Sequence, residues 1–350
     1  MKNLIKMGIK AKSASSETVS EKIKNKILLN FLKLIRTNKK KILIENKKDV
    51  SRAIRQNLKE NMIKRLELNE KKIKNIESSI KNIIKIKDPT NKILKKWLAP
   101  SGLNISQVTI PIGVIGIIYE SRPNVTADIS CLCFKSGNSV ILRGGSEAYN
   151  SNKILSKLFR KSLKSFKVNE NFVQFINIKD RKVVKFILSK MNKYIDVLIP
   201  RGGKGLVKTV QKFSNIPIIG HLEGVCHTFI DKNANLKMAQ EIVLNAKMRN
   251  TSICGATETL LIHEKVLRKY INPILSVLEK ENCEIYADKK TRKFYKGKTF
   301  IANENDWSKE YLTSKISVKT VKNVSDAVRH INKYGTMHTD AIVTKDNNAA

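Results

Sequence analysis

Cys254 is the side chain with the clearest potential for covalent chemistry. It lies in a small, polar segment, Arg249–Thr259, just before an apolar run that is typical of a β-strand. A thiol in such a turn can be exposed, and Arg249 and the backbone dipoles would favour its reactive thiolate form. A single cysteine is also a common small buried residue. The residue types alone therefore leave open both a nucleophile and a structural thiol.

The glycine-rich turn Arg201–Gly205 is a second candidate, because it follows an apolar run and opens a helical pattern. Such a turn presents free backbone N–H groups and the positive end of a helix dipole to an anion. It contains neither the G-x-G-x-x-G pattern of dinucleotide-binding proteins nor a Walker A sequence. By itself the turn predicts either a phosphate site or a tight structural turn.

The segment Pro111–Asn152 places polar side chains after two apolar runs. Gly113–Tyr119 leads into Glu120–Asn124, and Ser139–Leu142 leads into Arg143–Glu147. Apolar runs without polar alternation indicate strands buried on both faces of a parallel sheet. Ligands of open α/β sheets bind beyond the carboxyl ends of the strands. We therefore expect a cofactor-and-substrate crevice at this edge.

The elements that position these residues follow an alternating pattern of strands and helices from Gly113 onward. We expect strands at 113–119, 139–142, 172–176 and 196–199, and helices at 125–136, 147–165, 180–191 and 203–212. This βαβ pattern predicts a parallel sheet with helices on both faces. A second α/β domain is expected from about residue 225, with strands at 227–231, 257–262, 316–321 and 340–343 and helices at 234–248 and 264–280. Before the sheet, the periodicity of residues 16–87 predicts two or three basic amphipathic helices, and Leu103–Ile110 predicts one strand of a hairpin.

The composition is that of a globular chain of 350 residues, 41% of them hydrophobic. No apolar run approaches the roughly 20 residues of a membrane helix, and the N-terminus lacks the apolar core of a secretory signal, so we expect a cytoplasmic protein. The five cysteines are an odd number without framework spacing, which indicates reduced thiols. His221, Cys226 and His227 have no second cluster at zinc spacing, so we expect no metal site.

The net charge of +38 comes from 68 Lys and Arg against 30 Asp and Glu. A balance this basic is common in proteins that bind nucleic acid or anionic membranes. Here the excess lies in every segment of the chain, and only 6% of residues are aromatic, so basic residues interleaved with stacking platforms are not apparent. We therefore expect a solvated surface, with no specific nucleic acid and no membrane as partner.

Several motifs together resemble the gamma-glutamyl phosphate reductases, a family within the aldehyde dehydrogenase superfamily. They lie at Ile115–Thr126, Lys135–Asn138, Ile141–Ala148, Ile199–Leu206 and Ile253–Glu258. The resemblance implies an aldehyde-dehydrogenase-like α/β fold. A Rossmann-type parallel-sheet NADP-binding domain would span residues 1–225, a β-hairpin at 95–112 would serve oligomerisation, and a catalytic domain would span 226–350.

The resemblance also implies a reaction, the second step of proline biosynthesis. L-Glutamyl 5-phosphate would be reduced with NADPH to L-glutamate 5-semialdehyde, releasing phosphate and NADP, through a thioester on Cys254. Asn124 would be the side-chain donor of the oxyanion hole. The positions that would bind the cofactor are Arg143, Glu147, Gly202, Gly203, Lys204, Gly205 and Glu310. Arg122 and Arg249 are candidates for substrate binding. An Arg at position 143 favours NADPH over NADH. The resemblance further implies a homo-oligomer and functional coupling to glutamate 5-kinase.

The sequence departs from the resemblance in three places. Residues 221–227 replace the E-L-G-G-K motif of hydrolytic superfamily members, Asn250 stands where relatives carry an Arg, and the chain ends at Ala350 before the family's C-terminal tail. The alternatives are a hydrolytic NAD(P)-dependent aldehyde dehydrogenase and a basic nucleic-acid-binding protein derived from an enzyme.

Overall fold

The computed structural model describes residues 1–180, 182–220 and 223–350, apart from the side chains of Asn61 and Lys204. The chain divides after Gly220 into two compact units. This boundary lies shortly before residue 225, where the sequence pattern changes. Each unit contains its own parallel β-sheet.

The first unit begins with α-helices that precede any strand. They are α1 (Lys2–Ser15), α2 (Glu21–Thr37), α3 (Lys39–Arg55), α4 (Glu60–Leu66) and α5 (Glu70–Lys85). α5 shows why they form: Ile73, Ile76, Ile80 and Ile83 recur every three or four residues and are all buried. α2, α3 and α5 pack their apolar faces into one core with the first sheet, and α1 packs mainly into a second cluster that also contains strand residues of that sheet. Ile63 and Leu66 of α4 lie in a separate small cluster with Ala53 and Ala148.

Within residues 16–87, whose backbone is described throughout, the chain forms four helices, so the expectation of two or three was wrong. The breaks contain neither proline nor glycine. Asn38 joins α2 to α3, Asn57 takes a left-handed conformation with φ 53° after α3, and the Asn69 side chain caps α5 by accepting from Lys72 N–H. Asparagine supplies the turn chemistry that glycine usually provides.

An antiparallel hairpin of β1 (Ile93–Leu98) and β2 (Asn104–Val108) precedes the first sheet. The sheet has the order β5-β4-β3-β6 and consists of parallel strands. Its strands are β3 (Val114–Tyr119), β4 (Ser139–Gly144), β5 (Val173–Phe175) and β6 (Val197–Arg201), with helices α6 (Pro123–Lys135), α7 (Tyr149–Ser165), α8 (Lys182–Lys190) and α9 (Lys204–Phe213). Every residue of β3 and β4 is buried, which confirms the parallel arrangement expected from their apolar sequences.

The second unit contains a larger parallel sheet in the order β10-β9-β11-β8-β7-β12. Its strands are β7 (Cys226–Ile230), β8 (Thr257–His263), β9 (Glu284–Ala287), β10 (Phe300–Ile301), β11 (Lys315–Val321) and β12 (Asp340–Val343), and its helices are α10 (Leu236–Met248), α11 (Leu267–Lys280), α12 (Lys289–Phe294) and α13 (Val324–Tyr334). β9, β10, α12 and α13 have no counterpart in the sequence-based prediction. No helix in the described ranges is long and apolar enough to cross a membrane.

Candidate active site

Cys254 lies in the turn between the end of α10 and the start of β8. Its side chain is partly exposed, whereas Cys131, Cys133, Cys226 and Cys283 are buried. Burial raises the pKa of the Cys226 and Cys283 thiols to about 11 and that of Cys133 to about 12. Only a thiolate is strongly nucleophilic, so Cys254 is the thiol of this chain best placed to react.

Gly224 lies directly against the backbone of Cys254. A Cβ added at position 224 would stand 1.8 Å from the Cys254 carbonyl oxygen and 2.9 Å from its Cα. The same carbonyl accepts a hydrogen bond from Cys226 Sγ at 3.1 Å. The segment that leads into β7 therefore packs against the backbone of the cysteine turn, and only glycine fits at the closest point.

Polar side chains hold this supporting segment on its other side. The Gly224 N–H donates to Glu310 Oε1 at 2.9 Å, and the Val225 N–H donates to Thr336 Oγ1 at 3.0 Å. His338 lies next to it, with Nδ1 3.6 Å from Cys226 Sγ. Glu310 is thus close to the cysteine turn, and one of its oxygens is already bonded to the protein backbone.

A buried ion pair spans the base of the cysteine turn. Lys247 on α10 and Glu258 on β8 have fully buried side chains, and Lys247 Nζ lies 2.5 Å from Glu258 Oε2. The second oxygen of Glu258 accepts from the Leu312 N–H at 3.2 Å. Burial raises the pKa of Glu258, while Lys247 and the backbone N–H groups of Leu312 and Tyr311 oppose the increase. The pair ties the elements before and after Cys254 together.

In the first unit, Asn124 lies in the first turn of α6, just beyond the carboxyl end of β3. Pro123 begins the helix, where its missing N–H removes no hydrogen bond. The exposed side chain of Asn124 is 3.4 Å from Asp128 Oδ2, a weak contact. Arg122 precedes the helix and is exposed, as is Arg249 of the second unit at the end of α10. Asn124 is therefore available to a ligand at the sheet edge.

The glycine turn after β6 lies beside a carboxylate from the neighbouring strand end. A Cβ at Gly202 would stand 2.6 Å from Cδ of Glu120, the residue that follows β3. Gly203 caps α9, and nothing lies within 4 Å of a Cβ at Gly205; the side chain of Lys204 is outside the described part of the chain. The Glu120 carboxylate makes the turn a better partner for a hydroxyl donor than for a phosphate, because like charges repel.

Arg143 and Glu147 lie at the carboxyl end of β4 in different environments. The Arg143 side chain is buried; it donates to the Gly144 carbonyl and, at 3.2 Å, to the Lys179 carbonyl. Glu147 accepts from Ser121 Oγ at 3.0 Å and is only half-buried. Arg143 therefore holds backbone in place, whereas Glu147 faces the edge where β3 and β4 end.

The loop that carries Glu147 is fixed from outside the sheet by α3. Arg52 Nη2 donates to the carbonyls of Ser146 and Glu147, each at 2.9 Å. The fully buried Asp49 accepts from Arg52 at 2.8 Å and from both the N–H and Oγ of Ser151 at 2.8 Å. A buried carboxylate thus binds the first turn of α7, where the helix dipole favours a negative charge.

A cation that the sequence did not single out lies near this loop. Lys179 is exposed, and its Nζ is 4.6 Å from the centre of the Tyr149 ring. Because Arg143 binds the Lys179 carbonyl, the two positive side chains belong to the same edge of the sheet. Lys179 follows β5 as one of many lysines, so nothing in the sequence distinguished it.

The model of the aldehyde dehydrogenase family matches residues 5–292, most of this chain. The chain belongs to the aldehyde dehydrogenase family. Enzymes of the family use NAD or NADP as cofactor. The glycine turn, the carboxylates at the strand ends and the cations near Tyr149 are residues that fit such a dinucleotide. In the described ranges, no group of three or more His, Cys, Asp or Glu side chains could hold a metal ion.

Several similar proteins are gamma-glutamyl phosphate reductases. The enzyme of Thermodesulfovibrio yellowstonii is 41% identical over 346 residues, covering 97% of this chain and 82% of the relative. That of Bartonella tribocorum is 43% identical over 342 residues, covering 97% and 83%. The crystal structure of the Thermotoga maritima enzyme superposes with a TM-score of 0.93 at 37% identity, covering 99% of this chain and 84% of that one. The chain therefore belongs with the gamma-glutamyl phosphate reductases and is an oxidoreductase.

Each unit of this aldehyde dehydrogenase family member gathers part of the expected site. In the first unit, the strand ends bring together Asn124, Arg143, Glu147 and the 202–205 turn. In the second unit, Gly224 brings Glu310 next to Cys254. The sequence did not indicate that Asp49, Lys247 and Glu258 hold the proposed site residues in place. Asp49 binds a residue far away in the sequence, and Lys247 and Glu258 are charged residues of a kind that is common throughout the chain.

Proposed function

We propose that this chain reduces L-glutamyl 5-phosphate to L-glutamate 5-semialdehyde with NADPH, through a thioester on Cys254. Membership of the gamma-glutamyl phosphate reductases supports the substrate and the product. The observation that supports the nucleophile is the cysteine turn, in which Cys254 is the partly exposed thiol and its backbone is fixed by Gly224 and Cys226. The first unit is then the NADP-binding domain and the second the catalytic domain.

The reaction follows from the chemistry of a fixed thiolate. Cys254 Sγ attacks the acyl carbonyl carbon, a C–S bond forms, and the bond to the phosphate oxygen breaks. NADPH, when bound, supplies a hydride to the thioester carbonyl. Collapse of the resulting oxyanion breaks the C–S bond, which releases the aldehyde and returns the electron pair to Cys254. The Cys254 backbone N–H and the Asn124 amide are the proposed oxyanion donors, and removing one such donor typically lowers the rate about 100- to 1,000-fold.

Cofactor binding is proposed for the strand ends of the first unit and for Glu310. Glu147 and Glu120 present carboxylates that can accept from ribose hydroxyls, and Gly202, Gly203, Lys204 and Gly205 form the turn that borders the cofactor. Arg143 and the exposed Lys179 supply positive charge for the 2′-phosphate that distinguishes NADPH from NADH. Arg122 and Arg249 remain the proposed partners of the substrate carboxylate and phosphate.

Three wider proposals concern the cellular setting. Reduced thiols are typical of proteins in a reducing compartment, so we propose a cytoplasmic location. The 95–112 hairpin exposes Leu98 at 67% and Ile110 at 77%, which supports a homo-oligomer formed through this element. We also propose functional coupling to glutamate 5-kinase, the source of the labile acyl phosphate. Sedimentation of the protein with and without the kinase measures both forms of assembly.

The deciding experiment follows the reverse reaction, NADPH formation from glutamate semialdehyde and NADP. We expect activity that requires phosphate, is abolished in Cys254→Ser and is retained in Cys283→Ala, the control for loss of a buried thiol. Phosphate-independent activity would instead indicate hydrolytic aldehyde oxidation. Turnover in Cys254→Ser would contradict the thioester mechanism.

A further inference from the structure

Glu258 lies four residues after Cys254 and takes part in a closed ring of contacts around it. One carboxylate oxygen binds Lys247 Nζ at 2.5 Å, and the other accepts from the Leu312 N–H at 3.2 Å. Lys247 precedes the cysteine turn and Glu258 follows it. The ion pair therefore closes the base of the turn, while the second oxygen reaches a separate segment of the chain.

That separate segment carries Glu310. Leu312 has φ 55°, in the left-handed region, which costs a bulky residue about 1 kcal/mol or more. The Glu258 hydrogen bond holds this reversal two residues after Glu310. Glu310 in turn accepts from the Gly224 N–H at 2.9 Å, and Gly224 packs on the backbone of Cys254. These contacts connect Glu258 through Leu312, Glu310 and Gly224 to the backbone of Cys254.

A buried ion pair is weak evidence for stability, because apolar residues of similar volume often replace such a pair without loss. Apolar residues cannot replace the carboxylate of Glu258 as an acceptor, because one of its oxygens binds the Leu312 N–H and the other binds Lys247 on α10. Both oxygens of Glu258 are used in this way, toward two segments that flank the proposed chemistry. The geometry therefore suits a positioning role.

We propose that Glu258, paired with Lys247, is a positioning residue that fixes the Cys254 turn and Glu310 in a single arrangement. The inference rests on the proposed function, since it matters for turnover only if Cys254 is the nucleophile. Its essential part is the acceptor oxygen at position 258, not the charge. Two neutral side chains at that position can therefore separate positioning from simple ion-pair stability.

The test compares the double variants Lys247→Met/Glu258→Gln and Lys247→Met/Glu258→Leu. Neither contains an unpaired buried charge, and only the Gln variant can still accept from the Leu312 N–H. We expect kcat of the Gln variant within about threefold of the parent, and kcat of the Leu variant lower by about 100-fold, the size of effect seen when a reacting group is displaced by about 1 Å. The pH profile of Cys254 alkylation by iodoacetamide should change in the Leu variant alone.

Lys24→Met/Asp88→Asn is the matched control, because it neutralises both partners of the Lys24–Asp88 pair of the first unit, whose side chains are 4% and 12% exposed. It should lower the free energy of unfolding and leave the alkylation profile unchanged. If the Leu variant does not fold, Glu258→Asp retains the charge but is too short to reach both partners, and it should lower kcat with an unchanged KM.

Equal kcat and equal alkylation profiles in the Gln and Leu variants, or an unchanged kcat in Glu258→Asp, would overturn the positioning role. Such a result is distinguishable from failure of the proposed function. If the proposed function fails, Cys254→Ser retains turnover in the protein with the native Glu258, so that outcome does not depend on the variants at position 258.

Discussion

A methyl group on Gly224 would stand 1.8 Å from the carbonyl oxygen of Cys254, a distance that two non-bonded atoms cannot adopt. The obstacle is backbone and not a flexible side chain, so Gly224→Ala must displace either the cysteine turn or the segment before β7. We expect a loss of stability of about 1–3 kcal/mol, as for other overpacked sites, with a larger fractional loss of kcat. Chemical denaturation and steady-state kinetics measure the two effects.

Gly8→Ala is the control for this prediction. Its added Cβ would lie 2.6 Å from Cβ of Tyr194 in the first unit, so it should also lower stability. Iodoacetamide should react with Cys254 at the parental rate in Gly8→Ala and at a different rate in Gly224→Ala. Equal rates in both variants would mean that Gly224 does not set the geometry of Cys254.

Selective thiol chemistry is the second prediction. Cys254 is the partly exposed cysteine, whereas burial raises the pKa of Cys226 and Cys283 to about 11. At pH 8 these two buried groups remain thiols, which are poor nucleophiles. One equivalent of iodoacetamide should therefore modify Cys254 first and remove activity in proportion, as followed by peptide mass spectrometry. Modification of another cysteine at the same rate would contradict this assignment.

The third prediction concerns Asp49, which binds the first turn of α7 and the Arg52 side chain. Asp49→Asn removes the charge that Arg52 and the helix N-terminus share, and hydrogen bonds to charged groups contribute about 1.5–3 kcal/mol each. Because Arg52 holds the Glu147 loop, we expect KM for NADPH to rise with little change in kcat. Asp88→Asn changes a half-buried carboxylate that pairs with Lys24 and does not contact this loop, and it should leave KM unchanged. An unchanged KM for NADPH in Asp49→Asn would show that the position of the Glu147 loop does not depend on Asp49 or does not affect cofactor binding.

The sequence predicted the parts of this fold that depend on continuous local patterns. β3 is an uninterrupted apolar run, β8 contains the apolar run Leu260–Ile262, and both strands are buried along their whole length, so the parallel sheets could be anticipated. The contact between Asp49 and Ser151 joins residues 102 positions apart, and the approach of Gly224 to Cys254 depends on how β7 lies beside β8. Neither leaves a local pattern, because both arise only when distant segments pack together.

Lys179 carries the fourth prediction, which concerns cofactor choice. Its exposed ammonium lies over the Tyr149 ring beside the Arg143 contact, where it could pair with a 2′-phosphate. Lys179→Met should raise KM for NADPH about tenfold, equivalent to roughly 1.4 kcal/mol, and leave KM for NADH unchanged. Lys153→Met removes the other lysine near Tyr149, 5.7 Å from the ring centre, and should change neither constant. An equal effect of Lys179→Met on both cofactors would exclude recognition of the 2′-phosphate.

The fifth prediction is a pH dependence of stability that arises from His330. Burial, together with Lys319 and His227, lowers its pKa from the ordinary 6.5 to about 3. Between these values the unfolded chain binds a proton that the folded chain does not. Stability due to this residue is therefore complete above pH 6.5 and falls as the pH decreases, by up to about 1.4 kcal/mol per pH unit.

His330→Gln cannot be protonated, and its carbonyl can still accept a hydrogen bond from Lys319, which is 3.2 Å from Nδ1 of the native ring. We expect the free energy of unfolding to decrease less steeply from pH 6 to pH 4 in this variant than in the parent. His263, whose pKa is also lowered by burial, is present in both proteins, so the difference between the two slopes isolates His330. Parallel slopes would show that His330 titrates at its ordinary value, and that its burial does not exclude the charged ring.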